Sequence, residues 1–190
     1  MERTAVLDRL IVTPLFDAAQ SLVDSALDVR LGTEFILFRK EAFNALDIAE
    51  DTLASDVSRY QERVVRRIGE RFVLHPRQLV IGSTLEYIQL PSNLMAYVVG
   101  KSTWGRTGLV IATATKVDPG FRGCITLEII NEGEVPLVLL PGVPIAQLVF
   151  HRTERPTKYS GVYACPIGPE FPRFTSIVDG AQFWMPKKRR

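Results

Sequence analysis

Turn signals recur roughly every eight to twelve residues between residues 71 and 153, and this spacing constrains the fold more than any other feature. The segments between them are short runs rich in Val, Ile, Leu and Thr, which favour extended strands. A series of short strands of this kind predicts an antiparallel β-sandwich or barrel with few helices. The breaks fall at His75-Pro76, Pro91-Ser92-Asn93, Gly100, Asp118-Pro119-Gly120, Asn131-Glu132-Gly133 and Pro141-Gly142.

The flanking segments are less regular. "TEFILFRK" predicts a strand, whereas "SDVSRYQERVVRRIGE" fits either a helix or an extended polar loop. "INEGEVPL" has the composition of a hairpin connection. Beyond residue 153, frequent Pro and Gly predict an ordered loop, here called the arm (about residues 155–190), within a single domain spanning residues 1–190.

Composition excludes several classes of protein. Apolar residues make up 46% of the chain, which predicts a packed core, and the net charge of +2 is too small for a typical nucleic-acid-binding protein. No apolar run approaches the length needed to cross a membrane. The two cysteines lack metal-site spacing, so we expect a reduced, cytoplasmic protein without a membrane or nucleic-acid partner. The basic tail at 187–190 has the composition of a solvated terminus.

Several catalytic signatures are missing from the sequence. Two histidines, His75 and His151, are too few for most metal-based or histidine-based sites. The H-x-E and P-C-x-x-C motifs of zinc-dependent nucleobase deaminases are absent, as are the P-loop, G-x-G-x-x-G and G-x-S-x-G motifs. An enzyme with this sequence must therefore work with carboxylate, hydroxyl and guanidinium groups.

Glu128 is the most unusual residue because it interrupts an apolar strand, "CITLEII". Alternation places Ile125, Leu127 and Ile129 on a core face, and Thr126 and Glu128 on the other face. An unpaired buried carboxylate is costly. Glu128 therefore faces solvent, has a cationic partner or performs chemistry.

Two turn regions carry further polar groups. "GKSTWGRTG" (residues 100–108) concentrates cations, hydroxyls and glycines, which suits either a phosphate chain or a polar loop that caps a short helix. Asp118 opens the turn in "KVDPGFRG", where aspartate is common for local hydrogen bonding, so a purely structural role is an alternative to a functional one.

These segments together resemble the dCTP deaminase family of the dUTPase superfamily. The run from "LPSNLMAYVVGKSTWGRTG" through "VDPGFRGCITLEIINEGEVPL" to "PIAQLVF" carries the resemblance, with "LDVRLG" and "RFVLHPRQLVIGSTLEYIQLP" before it. The resemblance implies a mainly β, distorted jelly-roll or β-barrel fold of the dUTPase-like type, a homotrimer, and active sites shared between subunits. It also implies deamination without zinc, with dCTP and dUTP as nucleotide partners and Mg²⁺ carried by the nucleotide triphosphate rather than by a protein metal site.

The resemblance also assigns roles to residues. Glu128 corresponds to the glutamate that activates water for attack on cytosine C4, and Ser102 and Arg106 to the serine and arginine that orient the water and bind nucleotide. Further nucleotide-binding positions are implied at Lys101, Thr103, Trp104, Gly105, Lys116, Asp118, Thr126, Leu127, Gln147, Tyr159 and Tyr163.

The sequence departs from the family pattern mainly in the arm. The family's closing segment resembles G-K-Y-Q-G-Q, whereas this chain has "GVYACP", in which only Gly161 and Tyr163 match. Lys116 stands where single-activity deaminases often have arginine. A dUTPase, or an enzyme that both deaminates dCTP and removes pyrophosphate from dUTP, is therefore an alternative. So is a non-catalytic, nucleotide-binding regulatory trimer.

Overall fold

The computed structural model describes residues 8–17, 21–23, 26–39, 45–47 and 53–173, and these ranges are mainly β. Before the long central strands come β1 (Ile11–Thr13), β2 (Leu22–Val23), β3 (Ala26–Arg30), β4 (Glu34–Phe38), helix α1 (Leu53–Tyr60), β5 (Gln61–Val65) and β6 (Phe72–Leu74). They are followed by β7 (Leu79–Gln89), β8 (Leu94–Gly100), helix α2 (Ser102–Gly105), β9 (Leu109–Ile111), β10 (Lys116–Val117), β11 (Arg122–Asn131), β12 (Leu137–Leu139) and β13 (Pro144–Arg152).

The strands form two large antiparallel sheets and one small one. The first sheet has the order β5-β4-β7-β11-β9, with β1 also paired to β7, and the second has the order β10-β8-β13-β3-β2. Strands β12 and β6 form a separate pair. The prediction of a mainly β, jelly-roll-like fold with few helices is confirmed, although the sheets formed by the described strands have open edges and do not close into a barrel.

One apolar core joins the two large sheets. Its members are almost inaccessible to solvent and come from alternate positions of facing strands, which is the pattern of a β-sandwich interior. They include Val29 of β3, Phe35 of β4, Leu127 and Ile129 of β11, and Leu148 of β13. Within the described ranges, no helix has the length and apolarity needed to span a bilayer.

Strand β11 has the two faces that its sequence predicts. Leu127 is 0% exposed and lies in the core, whereas Thr126 and Glu128 are only half-buried on the opposite face. The pairing with β7 shifts register between Cys124 and Thr126. At this irregularity the Ile125 N–H donates to the Thr84 hydroxyl at 2.9 Å. This side-chain bond replaces the backbone bond that the Ile125 amide loses where the strand pairing is interrupted.

The prediction of a hairpin connection at "INEGEVPL" is wrong. Strand β12 pairs with β6 rather than with β11. The buried side chain of Asn131 explains the change of direction, because its amide donates to the carbonyls of Leu74 and Val135, both at 2.9 Å. Its Oδ1 atom also accepts from the Gly133 N–H at 2.9 Å. This one side chain fixes the turn and directs the chain toward β6.

The arm is described as far as residue 173, and it contains no strand or helix between residues 153 and 173. The prediction of an ordered loop is therefore confirmed for this part. The basic tail at 187–190 lies outside the described residues. The first part of "FDAAQSLVDSALDVRLG" has the pattern of a helix, but its described residues Leu22–Val23 form strand β2. Residues 18–20 and 24–25 of this stretch also lie outside the described residues.

Candidate active site

A cavity of about 300 Å³ lies between the polar face of β11, the β10 turn and the arm. We call it the Glu128 cavity. It brings together six of the residues that the sequence singled out, from three separate parts of the chain. These are Lys116, Asp118, Thr126, Glu128, Tyr159 and Tyr163.

The backbone around Glu128 is firmly held. Its N–H donates to the hydroxyl of buried Thr113 at 3.0 Å, and its carbonyl accepts from the Ala112 N–H at 2.8 Å. Its carboxylate is different, because Oε2 is buried and has no hydrogen-bond partner among the described residues. A buried, unpartnered carboxylate oxygen on a fixed backbone is costly for folding and is the arrangement expected of a group that binds a water or substrate.

The β10 turn presents a charged pair to the cavity. Lys116 Nζ lies 2.7 Å from Asp118 Oδ1, and this hydrogen bond raises the pKa of Lys116. The Phe121 N–H donates to the Asp118 carbonyl at 3.1 Å, so Asp118 also opens the turn as a structural residue. Both expectations for Asp118 are therefore compatible with its position, because its backbone forms the turn and its side chain lines the cavity.

The arm closes the other side of the cavity. Tyr159 packs edge-on against Phe121 with ring centroids 5.5 Å apart, and burial raises the pKa of Tyr159. The Cys124 N–H donates to the Pro166 carbonyl at 2.7 Å, which joins the arm to the start of β11. The Tyr163 hydroxyl accepts from the Arg173 N–H at 3.0 Å. The arm thus covers one side of the Glu128 cavity, and both predicted tyrosines line this cavity.

A second group of predicted residues lies elsewhere, on the outer face of the second sheet. Lys101 forms an ion pair with Asp28, and Gln147 Nε2 donates to Asp28 Oδ1 at 2.7 Å. Asp28 is only 7% exposed, so this carboxylate joins β3, β13 and the start of α2. The two predicted nucleotide-binding residues Lys101 and Gln147 are therefore held next to each other.

The α2 segment presents most of its side chains to solvent. Ser102, Thr103 and Arg106 are exposed, as is Gly105. Trp104 is anchored, because its indole N–H donates to the Pro144 carbonyl at 2.8 Å. None of these residues lines the Glu128 cavity.

The described residues thus divide the predicted site into two groups. One lines the Glu128 cavity, and the other, called the α2–Asp28 cluster, consists of Asp28, residues 101–106 and Gln147. Leu127 belongs to neither, because its side chain is buried in the core, and only its backbone lies beside the cavity residues. A site shared between subunits, as the resemblance implies, stays a prediction.

Sequence reasoning missed three residues that organise these groups. Asp28 lies in "LDVRLG", where an acidic residue inside an apolar strand was a usable signal. Thr113 holds the Glu128 backbone, and Glu170 lines the cavity from the arm. No local pattern singles out Thr113 or Glu170, because their roles depend on contacts between segments distant in the sequence.

Comparisons with known proteins identify the family of this chain. A dCTP deaminase-like family model matches residues 2–153. A protein named dCTP deaminase from Halorubrum lacusprofundi is 39% identical over 159 residues, covering 80% of this chain and 77% of that protein. One named dCTP deaminase, dUMP-forming, from Methanobrevibacter smithii is 38% identical over 151 residues, covering 79% and 76%.

The solved structures show a similar fold. The crystal structure of 2'-deoxycytidine 5'-triphosphate deaminase from Agrobacterium tumefaciens superposes with a TM-score of 0.56 at 22% identity. The matched region covers 75% of this chain but only 42% of the Agrobacterium protein. With the sequence matches over most of its length, the chain belongs to the dCTP deaminase-like family.

Proposed function

We propose that the protein catalyses the hydrolytic deamination of dCTP to dUTP and ammonia. The observation that carries this proposal is the buried, unpartnered Oε2 of Glu128 in a cavity that also holds Thr126 and Asp118. It is supported by relatives of 38–39% identity that are named dCTP deaminases.

In the proposed reaction, Glu128 acts as the general base and then as the general acid. Its carboxylate takes a proton from a water that attacks C4 of the cytosine ring, and the C4–N4 bond then breaks. The same carboxyl group returns the proton to the departing amino group, which leaves as ammonia. Thr113 fixes the Glu128 backbone, so the carboxylate can keep one position through both proton transfers.

We propose that this chemistry needs no zinc, because the sequence lacks the ligand motifs of the zinc-dependent deaminases. The substrate is the Mg²⁺ complex of the nucleotide, in which the metal neutralises part of the phosphate charge. Lys116 adds a cation at the edge of the Glu128 cavity, beside Asp118.

The active enzyme is proposed to be a cytoplasmic homotrimer. Ser102 and Arg106 lie outside the Glu128 cavity of their own chain, so a second copy has to supply them if they bind the same nucleotide. The outer face of the second sheet supports this arrangement, because it presents two exposed apolar side chains, Tyr97 and Val99, beside Gln147. A trimer closes through heterologous contacts between two different surface patches, and aromatic side chains are enriched in the centres of such interfaces.

A dUMP-forming enzyme is the second candidate. Asp118 shares the cavity with Glu128 and has a carboxylate that can activate a water at a phosphate. The Methanobrevibacter smithii relative, named dUMP-forming, is about as similar to this chain as the Halorubrum relative, which lacks that addition to its name.

Incubation with dCTP and, separately, with dUTP tests these proposals when ammonia and pyrophosphate are measured independently. Ammonia from dCTP without pyrophosphate indicates a deaminase, whereas both products indicate a dUMP-forming enzyme. Absence of both contradicts catalysis and favours a nucleotide-binding protein. The assay is repeated after dialysis against a zinc chelator with Mg²⁺ restored, where loss of activity that only zinc repairs contradicts the zinc-free reaction.

Two variants and a mass measurement complete the test. Glu128→Gln keeps the side-chain shape and removes the base, so ammonia release falls by about a hundredfold or more. Glu134→Gln changes an exposed glutamate on the loop after β11 and is the matched control. Sedimentation is expected to give about three times the 21.3 kDa chain mass, and a fully active monomer contradicts the shared site.

A further inference from the structure

Glu170 of the arm lines the Glu128 cavity and contacts strand β11. Its backbone N–H donates to the Thr126 hydroxyl at 3.2 Å, and its side chain lines the cavity. Thr126 lies two positions from Glu128 on the same face of β11. The backbone of Glu170 is therefore held against the face of β11 that carries Glu128.

The position of Glu170 depends on contacts made by its neighbours. Arg63 of β5 donates to the Pro169 carbonyl at 2.8 Å, and its guanidinium lies 5.3 Å from the centre of the Phe171 ring. Arg63 is itself held by Glu34 of β4 at 2.6 Å. The arm segment around Glu170 is thus fixed by backbone and aromatic contacts, and changes to the Glu170 side chain leave these contacts in place.

The Glu170 carboxylate can accept further hydrogen bonds besides the one from Arg173. Its Oε2 atom accepts from Arg173 at 2.7 Å, and Arg173 is largely exposed. An ionised carboxylate has two oxygens and about four lone-pair positions, and it cannot donate a hydrogen bond. Beside a nucleobase, such a group favours an amino group, which donates, over a carbonyl, which only accepts.

Cytosine and uracil differ at two neighbouring ring positions, C4 and N3. Cytosine has an amino group on C4 and an unprotonated N3, whereas uracil has a carbonyl on C4 and an N3–H. An acceptor-only side chain therefore distinguishes the substrate of the proposed reaction from its product where it faces the C4 substituent rather than N3. Glu170 lies on the same arm as Tyr159 and Tyr163, which also line the Glu128 cavity.

We propose that Glu170 is a specificity-determining residue, whose carboxylate accepts a hydrogen bond from the cytosine amino group and disfavours uracil. This inference rests on the proposed function, because it takes the Glu128 cavity to be the nucleobase site. It assigns to the arm a chemical role in base selection in addition to covering the cavity.

Binding measurements test the inference without turnover. Calorimetric titration with the Mg²⁺ complexes of dCTP and dUTP is carried out in the Glu128→Gln background, so that dCTP is not consumed. Glu170→Gln and Glu170→Ala are each expected to lower the ratio of dCTP affinity to dUTP affinity by about tenfold, the scale of one hydrogen bond to a charged group. Glu154→Gln, an equivalent charge change at an exposed position near the start of the arm, is expected to leave the ratio unchanged.

The ratio separates specificity from a structural role. If Glu170 only holds the arm closed, both affinities fall together and the ratio stays constant, which overturns the inference. Limited proteolysis shows whether the arm remains in place in each variant. The ammonia assay on the wild-type chain is independent of this result. Its failure removes the proposed function, whereas an unchanged ratio in a chain that releases ammonia removes only the role of Glu170.

Discussion

Replacing Glu128 by methionine is expected to stabilise the fold while abolishing activity. Glu128 is half-buried at the cavity and its Oε2 accepts no hydrogen bond from the described residues, so folding removes part of its hydration without a compensating protein bond. Methionine has a similar length and no strongly polar atom, and its flexible thioether can pack against Ile81, the residue opposite Glu128 on β7. A residue retained for chemistry should show this opposition between stability and function.

The size of the effect follows from the contacts. An unsatisfied buried polar group costs about 1–3 kcal/mol, and Glu128→Met removes that cost without disturbing the backbone bonds to Thr113 and Ala112. The free energy of unfolding should therefore rise by about 1–3 kcal/mol. For a chain of this size, each kcal/mol corresponds to about 2–4 °C in Tm.

Thermal unfolding of the wild type and the variant at one fixed protein concentration measures the change, because assembly makes Tm depend on concentration. Glu134→Met is the matched control, with an expected change within about 0.5 kcal/mol because Glu134 is exposed. A loss of stability of about 1 kcal/mol or more in Glu128→Met would refute the reasoning, since it would show that the carboxylate makes stabilising contacts.

Three further predictions concern the arm and buried titrating groups. Gly123→Ala places a Cβ against the Pro166 ring at a positive φ of 141°, so the arm is displaced and the KM for dCTP rises severalfold in the ammonia assay; an unchanged KM contradicts this. Burial raises the pKa of the Cys124 thiol to about 11, whereas Cys165 is exposed. Iodoacetamide at about pH 8 should therefore alkylate Cys165 first, as measured by peptide mass spectrometry, and faster alkylation of Cys124 contradicts this. Burial also raises the pKa of Glu86, in β7, above 4.5, so its contribution to stability is fully present below pH 4.5 and is lost as the pH rises through the folded pKa. Over that rise, denaturant titrations should show Glu86→Gln gaining stability relative to the wild type, and a constant difference contradicts the shift.

The sequence predicted the β11 part of the site because that information is local. A period of two separates Leu127 from Thr126 and Glu128 without knowledge of any other segment, and the structure has this alternation. The turn at Asp118 is equally local, because its hydrogen bond to Phe121 spans three residues.

Residues whose roles depend on distant partners were not predictable in this way. The segment "SDVSRYQERVVRRIGE" fitted a helix or an extended polar loop, and the structure changes from α1 to β5 between Tyr60 and Gln61. The helix is fixed by burial of Leu53 and Val57, one turn apart, whereas the strand is fixed by pairing with β4. Local propensity could not locate that boundary, because β4 decides it.

The attachment of the arm has a consequence for the rate of turnover. Its closed position is secured by the bonds from Cys124 to Pro166 and from Glu170 to Thr126, and by the contacts of Arg63. We expect the nucleotide of the proposed reaction to enter and leave the Glu128 cavity only when these contacts open, which would make opening a gating step. Association should then be slower than diffusion allows, and product departure rather than bond cleavage should limit the steady state. Loosening Arg63 would accelerate departure even though Arg63 lies outside the cavity lining.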